Sequence, residues 1–424
     1  MEWIKIANAG AFWGDSPFAA VNVVKSTPDI DFITIDYLAE LTLSVMAVQK
    51  KKNPALGYAK DFIPLIEALI PFWEEGRNFR LIANAGGLNP LSLAEEVGRL
   101  RTKRPLKIGV VTGDDVASHF PGVVSANAYL GHQAIKELLD DGADIVITGR
   151  VADPSLVVGA AASAFGWKEE EWDRLAVSTL AGHLIECGRQ VTGGISAEWM
   201  DLERRADIGF PIAELSSDGE LILTKESGSG GVVNIQTVKE QLFYELLDPA
   251  CYLSPDVTAS FQEVELESVG DDRVQIRGVR GSAAPNEYKV SLCYDAGFKS
   301  EGSLVVVGEH AVQKARAAGE ALLERLKGHP FDQKVIEVIG SGDVSGGILG
   351  EREDLKECVL RIALSSKERE PLEAFSKELA SLVTSGPPGV TGYTGGRPKV
   401  RPHFGYRAES IEMTKVSIQK EWVR

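Results

Sequence analysis

The chain has 424 residues, of which 44% are hydrophobic and 25% are charged. This composition supports a full core and excludes a disordered protein, and the length favours about two domains. The formal net charge of −16 argues against nucleic acid as a partner, because phosphate binding needs a positive surface. No run of about 18 apolar residues is present, so we predict no membrane segment. The amino terminus lacks the basic and apolar regions of a signal peptide.

The four cysteines lie far apart along the chain and form no Cys-x-x-Cys pair. A disulfide framework and a structural zinc site are therefore not predicted, and reduced thiols fit the cytoplasmic location that we expect. No sequence pattern identifies a cofactor.

The first part of the chain alternates short apolar runs with amphipathic segments of helical spacing, such as residues 62–75 and 126–140. Continuous apolar runs between helices are typical of parallel strands buried on both faces. Residues 1–250 are therefore predicted to form an α/β domain, a mostly parallel sheet with helices on both faces. Its predicted strands are Trp3–Ala7, Phe32–Ile35, Arg80–Ala83, Ile108–Val111 and Ile145–Thr148.

Each of these apolar runs ends in a loop that combines glycine with a carboxylate, an amide or an arginine. The candidate binding residues in these loops are Asp36, Asn84, Gly86, Gly87, Arg150 and Asp153. An open α/β sheet binds its ligand at the carboxyl ends of its strands, so we expect these loops to share one edge. Taken singly, each loop is also explained by ordinary turn and N-cap chemistry.

Arg150 and Asp153 are separated by one helical turn in the loop after the fifth run. Arg150 could clamp a substrate carboxylate, because a guanidinium binds a carboxylate in a bidentate way. Asp153 could act as a base or could only hold Arg150. An internal ion pair is the structural alternative.

His183 and Glu186 have the spacing that places two side chains on one helix face. Such a pair suits general acid–base catalysis, with Glu186 orienting His183, or a divalent-metal site completed by Asp36 and Asp114. A core histidine satisfied by a nearby carboxylate is the alternative. The adjacent Cys187 could be a nucleophile, and a buried, inert thiol is the favoured interpretation.

A long stretch that we predict as helix and loop ends at Lys225, and a glycine-rich loop and a helix at 237–247 follow. The loop residues are Ser227, Gly228, Ser229, Gly230 and Gly231. Backbone N–H groups of such a loop, next to a helix N-terminus, can form an anion site. A flexible loop or a simple helix cap is the alternative. Neither a Walker A motif nor a G-x-G-x-x-G fingerprint is present, so nucleotide hydrolysis and nicotinamide chemistry are unsupported.

Across residues 251–424 the apolar residues partly alternate with polar ones instead of forming continuous runs. This part is predicted to form a smaller α+β domain of strands and two helices. Separate strands are predicted at 289–294 and 303–307, and the helices at 309–327 and 367–383. Basic residues concentrate near the carboxyl terminus, at Arg397, Lys399, Arg401, His403 and Arg407. They could bind an anionic substrate group or an acidic surface of another subunit, and a solvated basic strand is the alternative. The Gly/Pro-rich loop at 387–396 is of the kind used as a lid.

Long, ordered motifs give the chain a resemblance to the acyclic terpene utilisation (AtuA-like) family. The matching stretches are GAFWGDSP, DYLAELTLSVMA, NAGGLNP, TGRVADPS, AGHLIECGRQVTGG, SGSGGVV and EQLFYELLDPACYLSPDV. The resemblance implies a role in the breakdown of branched terpenoid acids through acyl-CoA esters. One departure is Ile195, which follows Thr192-Gly-Gly194 where the family is expected to have Asn.

Carboxylates, a His–Glu pair, an arginine and glycine-rich loops suit proton abstraction next to a carbonyl, with the enolate stabilised by Arg or backbone N–H groups. The first hypothesis is therefore a lyase or hydratase acting on a small carboxylate or its acyl-CoA, with His183 or Asp153 as base. The second is a non-catalytic subunit that binds acyl-CoA or stabilises a partner enzyme. A homo-oligomer is expected in either case, with no nucleic acid and no membrane partner.

Overall fold

The computed structural model describes residues 2–16, 18–392 and 396–423. These residues form ten α-helices and nineteen β-strands. The helices are α1 (Ala19–Ser26), α2 (Glu40–Lys52), α3 (Phe62–Glu74), α4 (Pro90–Gly98), α5 (Gln133–Asp140), α6 (Ser155–Phe165), α7 (Trp172–Ile185), α8 (Ile235–Phe243), α9 (Ala311–Arg325) and α10 (Glu370–Ser385). The strands are β1 (Trp3–Asn8), β2 (Phe32–Ile35), β3 (Arg80–Ala83), β4 (Ile108–Thr112), β5 (Ser125–Ala128), β6 (Ile145–Thr148), β7 (Pro211–Ser216), β8 (Leu221–Lys225), β9 (Tyr252–Leu253), β10 (Thr258–Ser260), β11 (Glu265–Gly270), β12 (Arg273–Arg277), β13 (Arg280–Ser282), β14 (Glu287–Val307), β15 (Gln333–Ile339), β16 (Glu357–Ser366), β17 (Val390–Gly392), β18 (Arg401–Glu412) and β19 (Gln419–Val423).

A ten-stranded sheet has the order β11-β12-β8-β7-β1-β2-β3-β6-β4-β19. The five strands predicted from the apolar runs, β1, β2, β3, β6 and β4, are consecutive in this order, and each adjacent pair of them is parallel. Their carboxyl ends therefore meet at one edge, as predicted.

The prediction that the sheet is mostly parallel is wrong. Antiparallel strands extend the parallel core on both sides, with β7, β8, β12 and β11 beyond β1, and β19 beyond β4. The strands β7 and β8 lie in the stretch predicted as helix and loop. A tight turn at Ser216–Glu220 joins them, and strands joined by so short a turn must be antiparallel.

The parallel strands are buried on both faces because successive residues enter different hydrophobic clusters. Val146 of β6 packs in one cluster with residues of α6 and α7. Its neighbours Ile145 and Ile147 pack in the other cluster, with residues of α1 and α3. A strand that is buried on both faces has a continuous apolar sequence. For this reason these strands could be predicted from the sequence.

The chain forms two compact units, Met1–Leu292 with Arg407–Arg424, and Cys293–Tyr406. In the second unit, β15, β16, β14 and β17 form an antiparallel sheet whose apolar residues pack with those of α9 and α10. The runs predicted as separate strands at 289–294 and 303–307 belong to the single long strand β14. The predicted domain boundary at residue 250 stays a prediction.

Within the described part of the chain, no helix is both long enough and apolar enough to cross a bilayer. Tyr393, Thr394 and Gly395, which belong to the predicted lid loop, lie outside the described residues.

Candidate functional site

A cavity of about 520 Å³ in the first unit is lined by Asp153, His183 and Glu186. Asp153 lies in the loop between β6 and α6, and His183 and Glu186 lie at the carboxyl end of α7. Three of the four residues predicted as catalytic therefore share one cavity.

Arg150, the fourth, is 1% exposed and does not line the cavity. Its Nε donates to the Val151 carbonyl at 2.7 Å, its Nη1 to the Leu38 carbonyl at 2.6 Å, and its Nη2 to the Asp153 carboxylate. Its guanidinium carbon lies 4.6 Å from the centre of the Tyr129 ring. Arg150 is therefore placed to orient Asp153 rather than to bind a substrate carboxylate.

Asp36, just after β2, supports Asp153 from another side. Its Oδ1 accepts hydrogen bonds from the Leu38 backbone N–H at 2.9 Å and from Asn84 Nδ2 at 2.6 Å. Burial, followed by the charge of Asp153, raises the pKa of Asp36 well above its ordinary value, although Arg150 opposes the shift. Asp153 adds to this rise because a neighbouring carboxylate disfavours the charged form of Asp36. Asp36 therefore keeps its proton to higher pH than a solvent-exposed aspartate does.

The loop after β3 packs against the loops that follow β2 and β6 at the carboxyl edge of the parallel strands. Asn84 Oδ1 accepts the Tyr37 backbone N–H at 2.6 Å. The Gly86 N–H donates to the Thr148 carbonyl at 3.1 Å, and a Cβ on Gly86 would lie 2.6 Å from that oxygen. Gly87 has a φ of +51°, and its N–H donates to the Asn84 carbonyl at 3.2 Å. Both glycines allow close loop packing, and substrate binding by them stays a prediction.

His183 and Glu186 form a buried pair, with Nδ1 and Oε1 3.4 Å apart. His183 Nε2 lies 3.3 Å from the Leu242 carbonyl, and because a carbonyl only accepts, Nε2 carries a hydrogen. Burial lowers the pKa of His183, but the hydrogen bond and charge of Glu186 outweigh burial, so the net pKa is raised. Burial raises the pKa of Glu186 and outweighs the hydrogen bond and charge of His183, which lower it, and the charges of Asp153 and Glu245 add to the rise. Both members of the pair therefore release a proton at higher pH than the same side chains do in water.

Asn8, at the end of β1, fixes the helix end that carries this pair. Its Nδ2 donates to the carbonyls of Ile185 at 2.7 Å and Glu186 at 2.8 Å, and its Oδ1 accepts from the Thr34 hydroxyl at 3.2 Å. The sequence reasoning missed this residue, because only the sheet brings the two elements together across 177 positions.

The environment of Cys187 fits an inert thiol. Burial and the charge of Glu186 raise the pKa of Cys187 to about 12, so the nucleophilic thiolate is scarce at neutral pH.

The geometry gives no support to the divalent-metal hypothesis. Asp114 is occupied elsewhere, since its Oδ2 accepts from Asn127 Nδ2 at 2.8 Å and from the Arg150 backbone N–H at 2.9 Å. Over residues 2–16, 18–392 and 396–423, no three His, Cys, Asp or Glu residues are arranged to hold a metal ion.

The glycine-rich loop lies away from this cavity. Ser227 and Gly228 line a different cavity of about 350 Å³. The Ser229 and Gly230 N–H groups donate to the carbonyls of Glu226 at 3.4 Å and Asp207 at 2.7 Å. Helix α8 is capped by its own Asn234, whose side chain accepts the Thr237 N–H at 2.9 Å. The structure therefore does not join Ser227–Gly231 to His183, and anion binding by the loop stays a prediction.

The rest of the cavity wall is acidic and partly apolar. Its further charged residues are Glu245, Asp248, Glu287, Glu409 and a single lysine, Lys289. Its larger uncharged residues are Tyr129, Leu246, Leu247, Tyr252, Leu253 and Tyr288. The sequence reasoning did not single out Lys289, Tyr129 or Tyr252. Tyr252 carried a signal, because it lies within one of the motifs that match the AtuA-like family.

Comparison with family models confirms the resemblance seen in the sequence. The model described as acyclic terpene utilisation family protein AtuA matches residues 4–422. No curated protein and no solved structure matches the chain. Because the family match covers nearly the whole length, the chain belongs to the acyclic terpene utilisation family, AtuA.

Proposed function

We propose that the chain is a lyase or hydratase that removes or adds a proton next to the carbonyl of an acyl-CoA thioester. The observation that carries this proposal is that Asp153, His183 and Glu186 line one cavity beside the carboxyl ends of the parallel strands. Perturbed titratable groups in a concave site are the usual sign of acid–base chemistry.

Asp153 and the His183–Glu186 pair have complementary roles in this proposal. Asp153, held by the guanidinium of Arg150, is the base that takes the proton next to the carbonyl. The His183–Glu186 pair, whose pKa values are both raised, is the proton donor. In the dehydration direction, the pair protonates the departing β-hydroxyl while the electrons of the broken C–H bond form the new double bond. In hydration the same groups act in reverse.

The charge of the cavity favours a thioester over a free acid. Six carboxylate residues line it against one lysine, so a free carboxylate would be repelled. The acyl part of a thioester is uncharged around its reacting carbons. Leu246, Leu247 and Leu253 offer apolar surface to a branched acyl chain.

A panel of ligands tests this proposal. It consists of a branched α,β-unsaturated acyl-CoA, the matching free acid and CoA alone, measured by thermal shift and by product analysis. The thioester should raise the melting temperature more than the free acid does, because a ligand for the native state stabilises it. It should also be converted to the 3-hydroxy product. Stronger stabilisation by the free acid, or no conversion of any thioester, would contradict the proposal.

A non-catalytic acyl-CoA-binding subunit is the second candidate. The observation that favours it is that Arg150 and His183 each already have a carboxylate partner. Thioester binding without turnover, unchanged by Asp153→Asn, would support this candidate instead.

A further inference from the structure

A second cavity, of about 620 Å³, lies in the second unit. Its cationic lining residues are Lys299, Arg361, Arg397, Lys399 and Arg401. Among the described residues that line it, the one carboxylate is Glu301. We infer that this cavity binds a small molecule that carries phosphate groups, independently of the activity proposed for the first unit.

Most of these cations have no counter-charge. Arg361 is neutralised, because it donates to Glu301 at 2.6 Å and to Glu337 at 2.5 Å. In the part of the chain that the structure describes, no ion pair involves the other four, Lys299, Arg397, Lys399 and Arg401. In a chain of net charge −16, carboxylates are plentiful, and like charges gathered without them repel one another. A bound anion removes that repulsion.

The sequence spacing explains how the chain gathers these charges. Arg397, Lys399, Arg401 and His403 occupy every second position, and all four line the cavity. Arg401 and His403 lie in β18, where residues two apart face the same side, and Arg397 and Lys399 lie in the segment just before that strand. Four of the five basic residues noted near the carboxyl terminus thus line one concave surface. The fifth, Arg407, does not line it and pairs with Glu409 at 2.9 Å.

Two buried polar atoms also favour a phosphate-bearing ligand. Ser300 Oγ and His403 Nδ1 are buried and have no hydrogen-bond partner among the described residues, and both residues line the cavity. Ser300 is 2% exposed. Buried polar groups normally have partners, and a phosphate oxygen is a suitable acceptor for the Ser300 hydroxyl. Burial and the charges of Lys299 and Lys367 lower the pKa of His403, which is a further effect of the cationic surroundings.

The size and the net charge define the ligand class. A volume of about 620 Å³ is within the range of small-molecule sites, which is about 300–1,000 Å³. Arginine and lysine together are the usual ligands of phosphate groups. A long polyanion such as nucleic acid would meet the repulsion of a chain with net charge −16.

Titration calorimetry at low salt tests the inference with inorganic pyrophosphate, CoA and citrate. The test variant is Arg397→Gln/Lys399→Gln. The matched control is Lys327→Gln/Lys356→Gln, which removes two exposed charges of the same unit outside the cavity. Pyrophosphate should bind saturably, at least tenfold more weakly to the test variant, and equally well to the control. If CoA binds as tightly as pyrophosphate does, the ligand of this cavity is a nucleotide. If CoA binds more weakly, the ligand is a smaller phosphate compound.

Ser300→Ala provides an independent check. It should weaken pyrophosphate binding without destabilising the empty protein, because the hydroxyl has no partner among the described residues. Four results would overturn the inference: no saturable pyrophosphate binding, tighter binding of citrate, tighter binding of an oligonucleotide or anionic vesicles, or equal loss in the control variant.

Discussion

Ile195 has a φ of +47°, in the left-handed region that β-branched side chains rarely adopt. Asn, which the family resemblance led us to expect there, adopts this conformation readily. The side chain of Ile195 is 76% exposed and does not line the candidate cavity. Backbone conformation therefore explains the preference for Asn, and the departure does not by itself imply a different substrate.

Ile195→Asn should raise the free energy of unfolding by about 1 kcal/mol, because it relieves the left-handed strain and loses little apolar burial from a side chain that is 76% exposed. Denaturant unfolding measures the change. Ile195→Val remains β-branched and should give no gain. Equal stabilities of all three proteins would show that the backbone at this position is not strained.

Asp114 predicts a pH dependence of stability. Burial raises its pKa from 3.8 to about 6, so the folded protein binds a proton that the unfolded chain has released. The stabilisation that comes from this bound proton is fully present below the pKa of Asp114 in the unfolded chain. It is lost as the pH rises from about 4 through about 6. Asp114→Asn keeps an acceptor oxygen but cannot ionise. Its free energy of unfolding relative to the original protein should therefore rise by about 2 kcal/mol between pH 4 and pH 7. Unfolding curves at several pH values test this, and a constant difference would contradict it.

At the scale of elements, the contact between β1 and the end of α7 holds the proposed proton donor, the His183–Glu186 pair, in place. Asn8→Ala removes the hydrogen bonds that Nδ2 donates to the carbonyls of Gly10, Ile185 and Glu186 and should cost about 1–3 kcal/mol of stability. It should also lower turnover more than substrate affinity, because it loosens Glu186. Unfolding curves and steady-state kinetics measure both effects.

Asn89→Ala is the matched control for Asn8→Ala. Asn89 Nδ2 likewise donates to backbone carbonyls, those of Pro54 at 3.0 Å and Leu56 at 3.1 Å, but Asn89 does not line the cavity. It should lose stability and keep its turnover. An equal loss of turnover in both variants would show that the role of Asn8 is only to stabilise the fold.

The parallel strands could be predicted from the sequence, whereas their antiparallel neighbours could not. Residues such as Ile145–Thr148 are buried on both faces and therefore form a continuous apolar run. Leu221–Lys225 alternates buried and half-buried residues over only 5 positions, a weak pattern that local sequence does not distinguish from a loop. Its place in the sheet depends on the hairpin with β7 and on pairing with the distant β12.

For the whole molecule, part of the candidate site could be predicted because of a general rule of topology. Parallel strands end at one edge, so Asp36, Asn84, Arg150 and Asp153 had to be close. Their individual roles could not be predicted, since Arg150 faces backbone carbonyls and Asp153 rather than the cavity. The loop Ser227–Gly231 follows β8, so its separation from His183 depended on strands that the sequence did not reveal.

The central claim is that Asp153 removes a proton next to a carbonyl while the His183–Glu186 pair donates one. Exchange of the α-hydrogens of a branched acyl-CoA in D₂O, followed by mass spectrometry as a function of pH, tests it most directly. Asp153→Asn and His183→Gln should each reduce the exchange rate about 100-fold, whereas Cys187→Ala should keep it. The rate should fall as pH rises through the raised pKa of His183, and this limb should be absent in His183→Gln and present in Asp153→Asn. Exchange at the original rate in both Asp153→Asn and His183→Gln would contradict the account.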